Sequence, residues 1–181
     1  MGKQTTINRF ENFRSGYAAI VGAPNAGKST LLNRMLGEKI SITSKKPQTT
    51  RNRILGVVHR PAAQIVFIDT PGVHRAKSPL NVRIVDVALS ALGDVDVILL
   101  VADMTYPDKN SEMLLLENLK KQKRPVILAL NKIDLVGNEA IPAAMASWAQ
   151  TFSFHDTVPV SAKHGTQIDT LLDVMESTLP K

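Results

Sequence analysis

The chain contains no cysteine, which excludes disulfides, thiolate metal sites and a cysteine nucleophile. Aromatic residues are scarce, with five Phe, two Tyr and one Trp in 181 residues. None of them interleaves with the basic clusters, so no stacking platform for single-stranded nucleic acid is in sight. No apolar run approaches the roughly 20 residues of a membrane span. Residues 1–15 are polar and lack the apolar core of a signal peptide, so a cytoplasmic location is expected. Four histidines, His59, His74, His155 and His164, are scattered without ligand spacing and are expected at the surface or in loops. Internal repeats, low-complexity tracts and linkers are absent as well. What remains is a chain of one-domain length with 44% hydrophobic residues, enough for an ordinary core.

Acidic residues are outnumbered, 16 against 22 basic ones, for a net charge of +6. The basic side chains cluster at Lys45, Lys46, Arg51 and Arg53, at Arg60, Arg75 and Lys77, and at Lys120, Lys121, Lys123 and Arg124. Such clusters suit nucleic acid or a ribosomal surface. A solvated basic face is the alternative reading.

The most informative stretch is Gly22-Ala23-Pro24-Asn25-Ala26-Gly27-Lys28-Ser29, a G-x-x-x-x-G-K-S phosphate-binding loop. An apolar strand at 17–23 leads into it, and a helix at 30–36 with a Gly37 stop follows. That context lets loop N–H groups and the positive helix end converge on a polyphosphate. The residues from Gly22 to Ser29, with Thr30, are the expected cradle. Lys28 adds a charge near the β and γ phosphates, and Ser29 offers a hydroxyl to Mg²⁺.

Strands and helices then alternate. Residues 38–50 form a loop, and 53–58 with 64–68 a hairpin. A second loop runs from 70 to about 80, followed by a helix at 82–92 with a Gly93 stop. Strand 95–101, helix 111–122, strand 125–130, helix 140–152, strand 157–160 and helix 167–179 complete the chain. Thr166 is the expected N-cap of the last helix, and Trp148 a packing residue. The order predicts a three-layer α/β fold whose six-stranded, mostly parallel sheet has one antiparallel strand.

In such a sheet, ligands bind beyond the carboxyl ends of the strands. Asp69-Thr70-Pro71-Gly72 follows the third strand. There Asp69 reaches the Mg²⁺ shell through a water, and the Gly72 N–H meets a γ-phosphate. Asn131-Lys132-Ile133-Asp134 follows the fifth strand. The Asp134 carboxylate can accept from guanine N1–H and the 2-amino group, whereas adenine would leave it desolvated and unpaired. Asn131 and the Lys132 stem hold that loop and cover the base. Ser161-Ala162-Lys163 follows the sixth strand, with the Ala162 N–H directed at guanine O6.

In this order GAPNAGKS, KISITSKKPQTTR, DTPG, NKID and SAK resemble the Era family of bacterial GTPases, over about residues 15–179. The resemblance implies a Ras-like P-loop GTPase fold, binding of GTP and GDP with Mg²⁺, hydrolysis to GDP, and a role with 16S rRNA in small-ribosomal-subunit assembly. It implies that Thr50, rather than Thr49, joins Mg²⁺ through its hydroxyl. Val73 stands where many GTPases carry a water-orienting glutamine, so that group is missing. Related GTPases with Asn in the phosphate loop hold K⁺ beside the phosphates, and Asn25 matches that Asn. Asn25, Lys28, Thr50 and Gly72 are therefore the expected catalytic set. Ser29, Thr50 and Asp69 are the expected metal set.

The 38–51 and 70–80 loops are expected to be nucleotide switches. Family members carry a C-terminal KH-type RNA-binding domain, and this chain contains no G-x-x-G loop of that kind. The expected layout is an extension at 1–15 and a GTPase domain at 16–181, cut at its boundary. RNA contact is then mainly a property of the missing module, and the domain is expected to be a monomer. A switch whose hydrolysis is only a timer, an ATPase, and a GTPase of the tRNA-modification or iron-transport type are the rivals. The KISITS segment argues against the last.

Overall fold

In the computed structural model, residues 12–37, 53–69 and 95–181 are described. They contain β1 (Arg14–Gly22), α1 (Lys28–Leu36), β2 (Arg53–Arg60), β3 (Ala63–Asp69), β4 (Val97–Asp103), α2 (Lys109–Leu119), β5 (Val126–Asn131), a 3₁₀ turn (Ile133–Leu135), α3 (Ala140–Ala149), β6 (Asp156–Pro159) and α4 (Ile168–Thr178). The sheet order is β2-β3-β1-β4-β5-β6, with only β2 antiparallel to its neighbour. This is the expected sheet. The helix expected at 82–92 lies outside the described residues.

Alternate residues of each central strand face opposite cores, as the period of a strand requires. Ala18, Ile20, Val97, Leu99 and Val101 pack with Leu31 and Met35 of α1 and with Leu171 and Met175 of α4. Ala19, Val21, Ile98, Leu100 and Ala102 pack with Leu115 and Leu119 of α2 and with Met145 and Trp148 of α3. Burial on both faces explains why these strands read as unbroken apolar runs. Trp148 is a packing residue, edge-on to Phe154 with ring centroids 6.1 Å apart.

Several boundaries differ from the sequence expectation, for local reasons. β1 reaches back to Arg14, two residues before the expected domain start, because Arg14 and Ser15 pair with Ala63 and Gln64 of β3. The Arg14 guanidinium also donates to the Ser177 and Leu179 carbonyls. α2 starts early because Asp108 is an N-cap, its carboxylate accepting from the Ser111 N–H at 3.1 Å. Thr166 does not cap α4. Gln167 holds that position in a left-handed conformation (φ 61°), without a side-chain cap. Arg60, placed in a basic cluster by sequence, is spent on ion pairs to Asp173 and Glu176 of α4. His59, His155 and His164 are exposed, as expected.

Candidate functional site

The β1–α1 connection and the loops after β4, β5 and β6 lie at the carboxyl edge of the sheet, where ligands of such folds bind. The N-terminus of α1 is built to receive an anion. Gly27 occupies the N-cap position at φ 98°, no side chain caps the helix, and no acidic residue sits in its first turn. Its leading N–H groups are thus left for a partner from outside the helix. Ser29 and Thr30 are exposed on that turn. Two glycines are required by space. A Cβ on Gly22 would lie 2.5 Å from the Val101 carbonyl oxygen, and one on Gly27 would lie 2.3 Å from Asn131 Nδ2.

Lys28 donates from Nζ to the carbonyls of Gly22 and Ala23, at 2.8 Å each. The loop thereby bends around its own ammonium and holds it beside the helix N-terminus. Burial pushes the Lys28 ammonium down to about 8. A cation desolvated next to uncapped N–H groups is a site short of an anion. Polyphosphate oxygens would supply what burial removed.

The base loop is fastened to this cradle by two adjacent residues. Asn131, 2% exposed, donates from Nδ2 to the Ala26 carbonyl at 3.0 Å and accepts at Oδ1 from the Ala162 N–H at 3.0 Å. One side chain thus joins the phosphate loop, β5 and the loop after β6. Lys132 has a left-handed backbone (φ 70°). Its Nζ donates to the Asn25 carbonyl at 2.9 Å and to Asp103 Oδ2 at 2.6 Å. Burial would raise the Asp103 carboxyl. Hydrogen bonds from Lys132, from the Thr105 side chain and backbone, and from the Tyr106 N–H outweigh it and hold Asp103 near 2.

Asp134 lies on the 3₁₀ turn after Lys132, and its side chain is 17% exposed. Its Oδ1 accepts from Ser161 Oγ at 2.8 Å, and His164 Nε2 lies 3.6 Å from Oδ2. Ser161 Oγ in turn accepts from the His164 N–H at 3.2 Å. Ser161 and His164 thus orient the Asp134 carboxylate from one side.

The Ala162 donor differs from the sequence expectation. Its N–H, assigned above to guanine O6, is committed to Asn131 Oδ1. It can serve a ligand only as a shared donor or by giving up that bond.

Sequence reasoning missed Asp103 and Arg34. Asp103 closes a strand at the ligand edge, as Asp69 does, and that position was the available signal. Arg34 projects from α1 to the Ala162 and Lys163 carbonyls, with Nε 3.0 Å from Ala162 O. Nothing local in sequence marks such a clamp.

Of the expected site residues, Gly22, Ala23, Pro24, Asn25, Ala26, Gly27, Lys28, Ser29, Asn131, Lys132, Asp134, Ser161, Ala162 and Lys163 gather at this edge. Asp69 ends β3, beside β1 and paired with Arg53 of β2. Thr50, Thr70, Pro71, Gly72 and Val73 lie outside the described residues. Among the described residues no group of three or more His, Asp or Glu side chains could hold a metal ion by itself. A Mg²⁺ here would need phosphate oxygens to complete its shell, as is usual for that ion. No helix of the described residues is long and apolar enough to cross a membrane.

Residues 17–132 match a family described as 50S ribosome-binding GTPase. The chain belongs to that GTPase family. Among its GTPase relatives, it is 52% identical over 170 residues to GTPase Era of Geotalea uraniireducens, and 49% identical over 171 residues to that of Geotalea daltonii. The alignments take in 94% of this chain and 57% and 58% of those proteins, so the chain spans little more than half the length of its relatives. A crystal structure of Era in complex with MgGDPNP and nucleotides 1506-1542 of 16S ribosomal RNA superposes with a TM-score of 0.71 at 40% identity, over 93% of this chain and 58% of that one. The G domain of the T. maritima FeoB iron transporter superposes at 0.66 with 29% identity, over 91% of this chain and 98% of that one. The resemblance to Era read from the motifs is thus borne out, and so is the P-loop GTPase fold.

Proposed function

We propose that this chain is the GTP-binding and GTP-hydrolysing domain of an Era-type switch that serves small-ribosomal-subunit assembly. One observation carries the reading: the Asn131 side chain ties the phosphate loop to both base-reading loops. A triphosphate at α1 and a guanine at Asp134 are then held in one fixed relation. Resemblance to an Era bound to MgGDPNP and 16S RNA supports the nucleotide and the RNA partner. The domain takes up residues 16–181, with β1 beginning at Arg14.

Lys28 and the first N–H groups of α1 stabilise charge on the phosphates as it shifts in the transition state. Asp134 accepts the two guanine donors, while Asn131 and Lys132 keep its loop closed over the base. Ala162 meets O6 by sharing the N–H it gives Asn131. Ser29, Thr50 and Asp69 are the residues that would hold Mg²⁺, Asp69 through a water. Bound there, that ion would supply charge neutralisation for the phosphates. Gly72 and the Thr50 loop position the attacking water by backbone groups. Val73 cannot do so, and no side chain stands out as a general base. Positioning and electrostatics therefore carry the reaction, and turnover without a partner is slow. Asn25 would share in a K⁺ site. Its backbone is left-handed (φ 64°), and no described residue hydrogen-bonds to its side chain.

Phosphate release from GTP, measured with and without Mg²⁺ and in K⁺ against Na⁺, tests the reading. The expectation is slow, Mg²⁺-dependent hydrolysis stimulated by K⁺. Rapid hydrolysis in Na⁺ alone overturns the K⁺ assignment, and equal hydrolysis of ATP overturns the base assignment.

A further inference from the structure

On the α2–α3 side of the sheet lies a cavity of about 360 Å³ that the nucleotide chemistry does not use. That is within the usual range for small-molecule sites. Met113, Leu116, Ala144 and Trp148 supply apolar wall, and Asp103 and Glu112 supply carboxylates. The carboxylates are not equivalent. Asp103 accepts hydrogen bonds from Lys132, Thr105 and Tyr106. Nearby Asp108 is spent on capping α2 through the Ser111 N–H and Oγ. The Glu112 carboxylate has no hydrogen-bond or ion-pair partner among the described residues. A carboxylate half-buried in an apolar wall without a donor is costly unless a ligand supplies one.

The surroundings decide the sign of that ligand. Asp108 repels an anion, Asp103 is offset by its ion pair with Lys132, and Lys109 is the one cation lining the cavity. The indole of Trp148 and the thioethers of Met104 and Met113 favour a flat apolar body and a cation near a π face. A hydrated metal ion is disfavoured, because a single uncommitted carboxylate stands among apolar walls. We propose that this cavity is a binding site for a small organic cation with an aromatic body, with Glu112 as its counter-ion. Asp103 belongs to two places at once, because it lines this cavity and also holds Lys132 of the base loop.

Burial raises the Glu112 carboxyl to about 7, with Asp108 and Asp103 adding to the rise and Lys109 opposing it. The α3 residues lining the cavity, Ala144, Ser147 and Trp148, carry no titratable group. Cation affinity should therefore grow from pH 6 to pH 8, as Glu112 ionises, while affinity for a neutral analogue stays level.

Trp148 is the only tryptophan of the chain, so its fluorescence reports occupancy. Three isosteric probes separate the outcomes: 3-phenylpropylammonium, 3-phenylpropanol and 3-phenylpropanoate, titrated at pH 8. The ammonium should bind about tenfold or more tighter than the alcohol, the advantage expected of a charge-assisted hydrogen bond. The carboxylate should not bind. Glu112→Gln should bring the ammonium down to the level of the alcohol. Ala144→Leu, which fills the cavity, should abolish both. Ser147→Met does the same from an exposed position should the first variant fold poorly. Equal binding of ammonium and alcohol by the unmodified chain, or a cation preference that survives Glu112→Gln, overturns the proposal.

Discussion

The side-chain amide of Asn131 donates to the carbonyl of Ala26 across 105 positions of sequence, while its oxygen accepts from Ala162, 31 positions on. Both bonds are buried, and both partners are backbone groups. Replacing Asn131 by Ala leaves that carbonyl and that N–H without partners, costing about 2 kcal/mol or more of stability. Thermal melting should show the loss directly. Guanine-nucleotide affinity should fall by more than tenfold, since the phosphate and base loops are no longer locked together. An unchanged melting temperature would mean that this side chain is not the tie between them.

Gly27→Ala should act on the same tie from the other side. At φ 98° an alanine is strained by roughly 1–2 kcal/mol, and its Cβ would lie 2.3 Å from Asn131 Nδ2. Nucleotide affinity should drop much more than stability does, because the displaced amide sits in the site. Calorimetric titration beside a melting curve separates the two losses.

Lys28 makes phosphate binding depend on pH. Its ammonium is lowered to about 8 by burial, and an anion restores the charged form. Binding then takes up a proton as pH rises above about 8, and affinity falls by up to about tenfold per pH unit between 8 and 9. In the nucleotide-free protein the sign is reversed. The desolvation cost is full below pH 8 and is relieved between about 8 and the ordinary lysine value of 10.5. Lys28→Met should bind weakly with an affinity that is level over the same pH range. Titrations at pH 7, 8 and 9 check both statements.

Asp103→Asn removes the charge that holds Lys132. The pair is 2.6 Å apart, and the Asp103 side chain is only 9% exposed. The substitution should lower stability by about 1–2 kcal/mol and weaken guanine-nucleotide binding several-fold without abolishing it. Because the Asp103 carboxyl is held near 2, its stabilisation is complete above about pH 4 and is lost as pH falls through 2. Acid unfolding of the unmodified chain and of Asp103→Asn should converge at the low end of that range.

What was legible in the sequence follows from what is local. The run from Gly22 to Ser29 carries its own strand, turn and helix, and the structure places them as the periodicity predicts. β4 and β5 read as strands because both faces are buried, leaving nothing but apolar side chains. Asn131, Lys132 and Asp134 were recognisable as a loop at the ligand edge. Partners distant in sequence were not. The N–H of Ala162 goes to Asn131 rather than standing free, and that is decided by how β5 and β6 align. Arg34 reaches the Ala162 carbonyl from another helix, and Asp103 finds Lys132 only once β4 and β5 are paired. The start of β1 was misplaced because Arg14 and Ser15 are held by pairing with β3 rather than by burial.

The central claim is that Asp134 reads guanine through its two donors. Calorimetric titration of nucleotide-stripped protein with GTP, ATP and xanthosine triphosphate, with Mg²⁺, tests it in the unmodified chain and in Asp134→Asn. The unmodified chain should prefer GTP over ATP by several orders of magnitude, as expected where the wrong base strands a desolvated polar group. Asp134→Asn should lose GTP affinity and gain affinity for xanthosine triphosphate, whose 2-oxo group accepts where guanine donates. Equal affinities for GTP and ATP in the unmodified chain, or a base preference untouched by the substitution, would contradict the account.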